Sequence, residues 1–158
     1  MTIQPPETAS CFIAAQWELL VAILNRVIPA SGAFPGAGDL GVASYIDRVT
    51  GQSAELKRLF VQGLTQTDIT SQERYTQPFT SLSDQQQDSI LHQIESHRRK
   101  FFGALVTHAY SGYYCNRAIL RLLGLDVRPP QPRGHELAPL ELGLLEHVKQ
   151  RAPLYKPV

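Results

Sequence analysis

The most constraining stretch of this 158-residue chain is Phe101–Gly124, its longest weakly charged run. Within it Phe102, Leu105, Val106, Ala109 and Tyr113 recur at i, i+3, i+4, i+7 and i+11, one face of an α-helix. Phe101, Tyr110 and Tyr114 cover much of the opposite side. A helix apolar around most of its circumference must be buried by neighbours. The run therefore predicts the central helix of an all-α domain, with a bend or break near Gly112.

The rest of the chain supplies the neighbours. Trp17, Leu20, Val21, Leu24 and Val27 mark a first helix, widened by Leu19 and Ile23 and stopped by Pro29. Residues 29–38 are loop by composition. Asp39 is placed to cap a short helix that presents Val42, Tyr45, Ile46 and Val49, with Gly51 at its end. Leu56, Leu59, Phe60, Gly63 and Leu64 mark a third helix. The polar stretch 65–79 reads as loop. Ser83 and Gln86 are spaced as a capping box for a helix with Ile90, Leu91 and Ile94 on its face. Three prolines in Val127–Gly134 forbid a helix interior and predict an extended strap. Leu137, Leu140, Leu144 and Val148 predict a last helix, followed by a second strap over residues 151–158. Residues 1–9 read as an extended arm. The expected architecture is a single domain, a compact bundle of about six helices around the central one.

Charge and motif exclude several functions. Fifteen basic residues against fourteen acidic ones give a net charge of +1, without the basic stripe that nucleic acid requires. The apolar stretch 12–28 is interrupted by Gln16, Glu18, Asn25 and Arg26 and is not a membrane span. The N-terminus lacks a positive n-region and an apolar h-region, so the expectation is a cytoplasmic chain, with co-export to the periplasm on a partner as the alternative. Cys11 and Cys115 are read as buried free thiols, with a disulfide left open. None of the five histidines is paired with another at i, i+4, and there is no CxxC, so no metal site is expected. His108 is expected to be a hydrogen-bonded core histidine. His97–Lys100 is read as cations at the negative end of a helix. Gly36, Gly38 and Gly41 match G-x-G-x-x-G, but no strand precedes them and no βαβ unit follows, so a turn before a helix is the better reading. No catalytic or cofactor-binding residue is assigned.

Tyr110, Tyr113 and Tyr114 stand between core and interface, since tyrosine buries a ring and keeps a polar tip. In the terminal strap, Arg151, Leu154 and Tyr155 are of types suited to anchoring a partner.

Several blocks together resemble the gluconate 2-dehydrogenase subunit 3 family: Arg26–Pro29, Pro35–Arg48, Pro78–Gln86, Phe101-Phe102, Ser111–Asn116 and Val148–Pro157. The resemblance implies a non-catalytic small (gamma) subunit of an FAD-dependent sugar or sugar-acid dehydrogenase, such as a glucose, fructose or glucoside 3-dehydrogenase. It places the flavin in a large subunit of the glucose–methanol–choline (GMC) oxidoreductase type. It also implies a cytochrome c subunit in many complexes, and a chaperone and export role for the small subunit. Many family members begin with a twin-arginine signal, and this sequence does not. The competing readings are a free-standing helical adaptor or homodimer, and an enzyme whose site is not recognisable from sequence.

Overall fold

The computed structural model describes residues 11–125 and residue 150. The chain divides into one unit of residues 1–127 and another of residues 128–158, and all the described helices belong to the first. The expected arm over 1–9, both straps, the helix between them, and Arg151, Leu154 and Tyr155 lie outside the described residues.

Six α-helices and one short 3-10 turn build this unit: α1 (Ala14–Val27), α2 (Val42–Gly51), α3 (Ala54–Tyr75), the turn Phe79–Ser81, α4 (Asp84–His97), α5 (Arg99–Tyr114) and α6 (Arg117–Leu122). Among the described residues there is no strand, only an isolated bridge between Ser31 and Phe34. The all-α expectation holds. α5 packs against α1, α2, α3, α4 and α6. Trp17, Phe60, Phe79, Leu20, Ile23 and Leu105 are fully buried and form the centre of the core. Removing a ring the size of Trp17 or Phe60 there costs about 3–5 kcal/mol.

Local chemistry sets most boundaries. α1 stops at Val27, with Ile28 extended ahead of Pro29. α4 opens on the expected capping box, the Ser83 N–H donating to Gln86 Oε1 at 3.0 Å. At its other face Gln87 is buried, and its amide donates to the Phe79 carbonyl at 3.0 Å. Arg26 ties α1 to α4, donating to both carboxylate oxygens of Asp88 at 3.0 and 2.7 Å and pairing with Asp84 at 2.7 Å. The hydrogen bond to Asp88 raises the guanidinium pKa further above its ordinary range, against an opposing effect of burial.

Four expectations are corrected. First, α3 does not end near residue 65 but runs 22 residues to Tyr75, where Thr76 takes a left-handed conformation (φ 56°). Its polar second half is tolerated because the inward hydroxyls are satisfied by their own helix. Thr67 donates to the Gly63 carbonyl at 2.9 Å, Thr70 to Gln66 at 2.8 Å and Ser71 to Thr67 at 3.0 Å. Second, Asp39 caps nothing. Gly41 (φ 84°) is the residue that enters α2, while Asp39 exchanges hydrogen bonds with Asn25: its N–H donates to Asn25 Oδ1 and its carboxylate accepts from Asn25 Nδ2, both at 3.2 Å.

Third, the helical run 101–124 breaks at Cys115 and Asn116, not at Gly112. The Asn116 side chain accepts from the Ala118 N–H at 2.9 Å and starts α6. Gly112 stays helical because α2 lies against it: a Cβ there would come within 2.7 Å of the Tyr45 ring and 2.8 Å of Val42. Fourth, α5 is not buried all round. Phe101, Leu105, Ala109 and Tyr113 are buried, Phe102 and Val106 are half-buried, and Lys100, Gly103, Thr107, Tyr110 and Tyr114 form an exposed stripe. The thiols differ as well: both cysteines are free, with Cys11 half-buried and Cys115 exposed.

The glycine-rich turn is a packing device. Gly36 and Gly38 lie against Asn25, and a Cβ on Gly38 would overlap the Val21 carbonyl oxygen of α1. Gly38→Val is therefore expected to lower stability by about 1–3 kcal/mol, the overpacking range, in chemical denaturation. An unchanged midpoint would show that the turn does not need this close approach.

Candidate partner interface

Two contacts fix the rotation of α5 about its own axis. Near its start, the Phe101 ring sits where a Cβ on Gly63 of α3 would have to be. It also meets Phe60 edge-on, with centroids 5.6 Å apart and planes at 85°. Near its end, Gly112 admits α2, and the Tyr113 hydroxyl donates to the Pro35 carbonyl at 2.8 Å, bridging 78 residues of sequence.

Tyr113 is thus an interior residue, 3% exposed, and is separated from the two tyrosines beside it in sequence. Helical spacing alone leaves Tyr110 within reach of both Tyr113 (i+3) and Tyr114 (i+4). The rotation fixed by Phe101 and Gly112 turns Tyr113 inward and leaves Tyr110 and Tyr114 outside. Burial raises the Tyr113 pKa, with a further rise from Tyr114.

Tyr110 and Tyr114 are 45% and 46% exposed. Their rings stack on each other, centroids 5.8 Å apart and planes within 10°, and Tyr114 meets Tyr113 edge-on at 5.3 Å. The exposed pair is thereby held in one orientation by a buried ring. Tyr110 also borders a groove of about 260 Å³ between α1, α4 and α5, where Val27, Leu91, Phe102 and Val106 are apolar and Arg26, Asp88, His92 and Glu95 are polar. Past the break, exposed apolar side chains continue the chain: Leu122, Leu123 and Leu125 are 44–54% exposed. Sequence reasoning does not single out these leucines, because their spacing matches a core helix; α6 is six residues long and buries only Ile119.

The other candidates from the sequence offer no chemistry of their own. Among the described residues no group of three or more His, Cys, Asp or Glu side chains could hold a metal ion. The turn at Gly36–Gly41 has no cradle for a pyrophosphate, since the space beside Gly38 is filled by α1. His108 is half-buried between Tyr45 and Phe60, each ring 6.2 Å away. Its Nδ1 is buried without a hydrogen-bond partner, unlike the bonded core histidine expected. What these residues do present is a surface: the exposed Tyr110–Tyr114 pair and the leucines beyond the break.

That surface belongs to a scaffold with relatives. The sequence matches the gluconate 2-dehydrogenase subunit 3 family over residues 14–122, from the first residue of α1 to the last of α6. The chain belongs to this family. No curated protein and no solved structure matches it. Family membership accords with one subunit of a dehydrogenase assembly that includes a larger partner, and makes an outward face on the central helix the place to look for contact with that partner. No helix among the described residues is long and apolar enough to cross a membrane.

The Tyr113 tether has a pH signature. Because burial raises its pKa above the ordinary value of 10.0, the unfolded chain loses this proton first. The contribution is fully present below pH 10.0 and is lost as pH rises through the higher folded-state pKa. Tyr113→Phe is expected to cost about 1–2 kcal/mol at neutral pH, from the lost bond and the unpaired Pro35 carbonyl. The variant should also show a flatter decline in melting temperature on the alkaline side. Parallel alkaline declines in both proteins would contradict this role.

Proposed function

We propose that this chain is the non-catalytic small subunit of an FAD-dependent, GMC-type sugar or sugar-acid dehydrogenase, and that it keeps the flavin-bearing large subunit folded and soluble. The observation that carries the reading is the stacked, exposed Tyr110–Tyr114 pair on a helix whose opposite face is the core. Aromatic rings held in place before binding lose little conformational entropy on contact, and tyrosine is enriched in interface hot spots. Family membership supports the choice of partner: a dehydrogenase subunit that works beside a larger one. The flavin is assigned to that partner, and a cytochrome c to the electron-accepting side of the complex.

The proposed contact has two parts. Tyr110 and Tyr114 form the rigid part. The terminal segment is the second, through Arg151, Leu154 and Tyr155, where Pro153 and Pro157 already restrict the chain and reduce the cost of ordering it. Assembly is assigned to the cytoplasm, with export of the finished complex as the alternative route.

The test is co-expression with the large subunit. The wild-type chain is expected to raise the yield of soluble, FAD-loaded dehydrogenase. Tyr110→Ala/Tyr114→Ala is expected to weaken association by about 2–4 kcal/mol, the range for a hot-spot pair, while the isolated subunit keeps its melting temperature. A large subunit that reaches full yield and specific activity alone would contradict the supporting role. A variant that associates as the wild type does would remove the tyrosine face from the interface. A wild-type chain that dimerises and binds no dehydrogenase would favour the homodimer.

A further inference from the structure

The cationic run His97–Lys100 is only partly placed at a helix C-terminus. His97 closes α4 and Arg98 is the junction residue, but Arg99 and Lys100 occupy the first turn of α5. Positive charge in a first turn opposes the helix dipole and costs stability. No acidic residue lies in the first turn of α5, and among the described residues neither Arg99 nor Lys100 takes part in an ion pair, in contrast to Arg26. Glu95, a turn earlier on α4, borders an adjoining groove with Arg99 without pairing to it.

These cations line a groove of about 360 Å³ between α3 and the α4–α5 junction, with the half-buried Leu59 and the buried Gly63 and Phe101 as its apolar lining and, among the described residues, no carboxylate in it. Arg98 is held there, its guanidinium donating to Gln66 Oε1 on α3 at 2.9 Å. Arg99 and Lys100 are exposed. The groove therefore combines a concentrated positive field with an apolar base.

We propose that this groove receives a carboxylate-bearing segment of the large subunit, an acidic side chain flanked by an apolar one, as a second docking site separate from the Tyr110–Tyr114 face. The inference rests on the proposed function, because it takes the large subunit as the partner. Charge complementarity selects an acidic occupant. The half-buried Leu59 beside the cations selects a protein segment over a small free anion, which would answer the cations and leave that side chain uncovered. Exposed cations that are not converged on one point suit steering of a protein partner: they accelerate encounter and make it depend on ionic strength.

The experiment compares the wild-type chain with Arg99→Glu/Lys100→Glu in binding to the large subunit isolated from the co-expressed complex. Association rate is measured across a salt series, alongside the melting temperature of each isolated chain. The expected result is association slowed by about tenfold or more at low salt, with the wild type's salt dependence abolished or reversed. The melting temperature is expected to stay level or rise, since glutamates in a first turn favour the helix dipole. That opposite movement of stability and association separates docking from a structural role. Equal rates and equal salt slopes would overturn the proposal and leave the proposed function intact. A groove occupied by inorganic phosphate, read as a phosphate-dependent rise in melting temperature that the variant loses, would also overturn it, as a small-anion site. A wild-type chain that binds no large subunit overturns both.

Discussion

Everything in this fold that bears on function depends on how α5 is held in rotation. The Phe101 ring fills the notch that Gly63 leaves in α3, and near the far end of the helix Tyr113 is bound to the Pro35 carbonyl. A turn of α-helix takes about 3.6 residues, so the two contacts act roughly three turns apart on one rigid rod. A slip of one residue would rotate the helix by about 100°. It would expose the Phe101 ring and put Tyr110 or Tyr114 into the core. The close approaches at Gly63 and Gly112 make such a slip costly, because both leave no room for an alternative packing.

The same constraint divides the labour within three neighbouring tyrosines. Tyr113 gives its hydroxyl to the fold, and its ring supports Tyr114 edge-on. Tyr114 in turn stacks with Tyr110 at the surface. Core and exposed face are therefore mechanically continuous, and the exposed rings are held by packing within the chain itself. Preorganisation of this kind reduces the entropy that association must overcome. At the other end of α5, Arg99 and Lys100 oppose the helix dipole and, among the described residues, take part in no ion pair.

Much of this is legible in the sequence. The apolar periodicities of α1 and α4 and the Ser83–Gln86 capping box can be read directly, because their apolar faces are continuous and their caps are local. The second half of α3 cannot: Thr67, Thr70 and Ser71 are polar by type, yet they face inward with hydroxyls bonded to their own helix. Asp39 looks like a cap and is not one, because capping competes with any other partner in reach, and Asn25 is a partner 14 residues away. For the tyrosines, the sequence marks a helical run rich in that residue type. It cannot separate Tyr113 from Tyr110 and Tyr114, because that separation depends on where Gly63 and Gly112 fix the helix. Leu122 and Leu123 carry a core-like pattern on a helix too short to bury them.

The most direct test of a two-faced α5 is hydroxyl-radical footprinting of the tyrosines in the isolated chain and in its complex with the large subunit. The account predicts that Tyr110 and Tyr114 are modified in the isolated chain and protected in the complex, while Tyr113 is protected in both. Modification of Tyr113 in the native isolated chain, or equal labelling of Tyr110 and Tyr114 in both states, would contradict it.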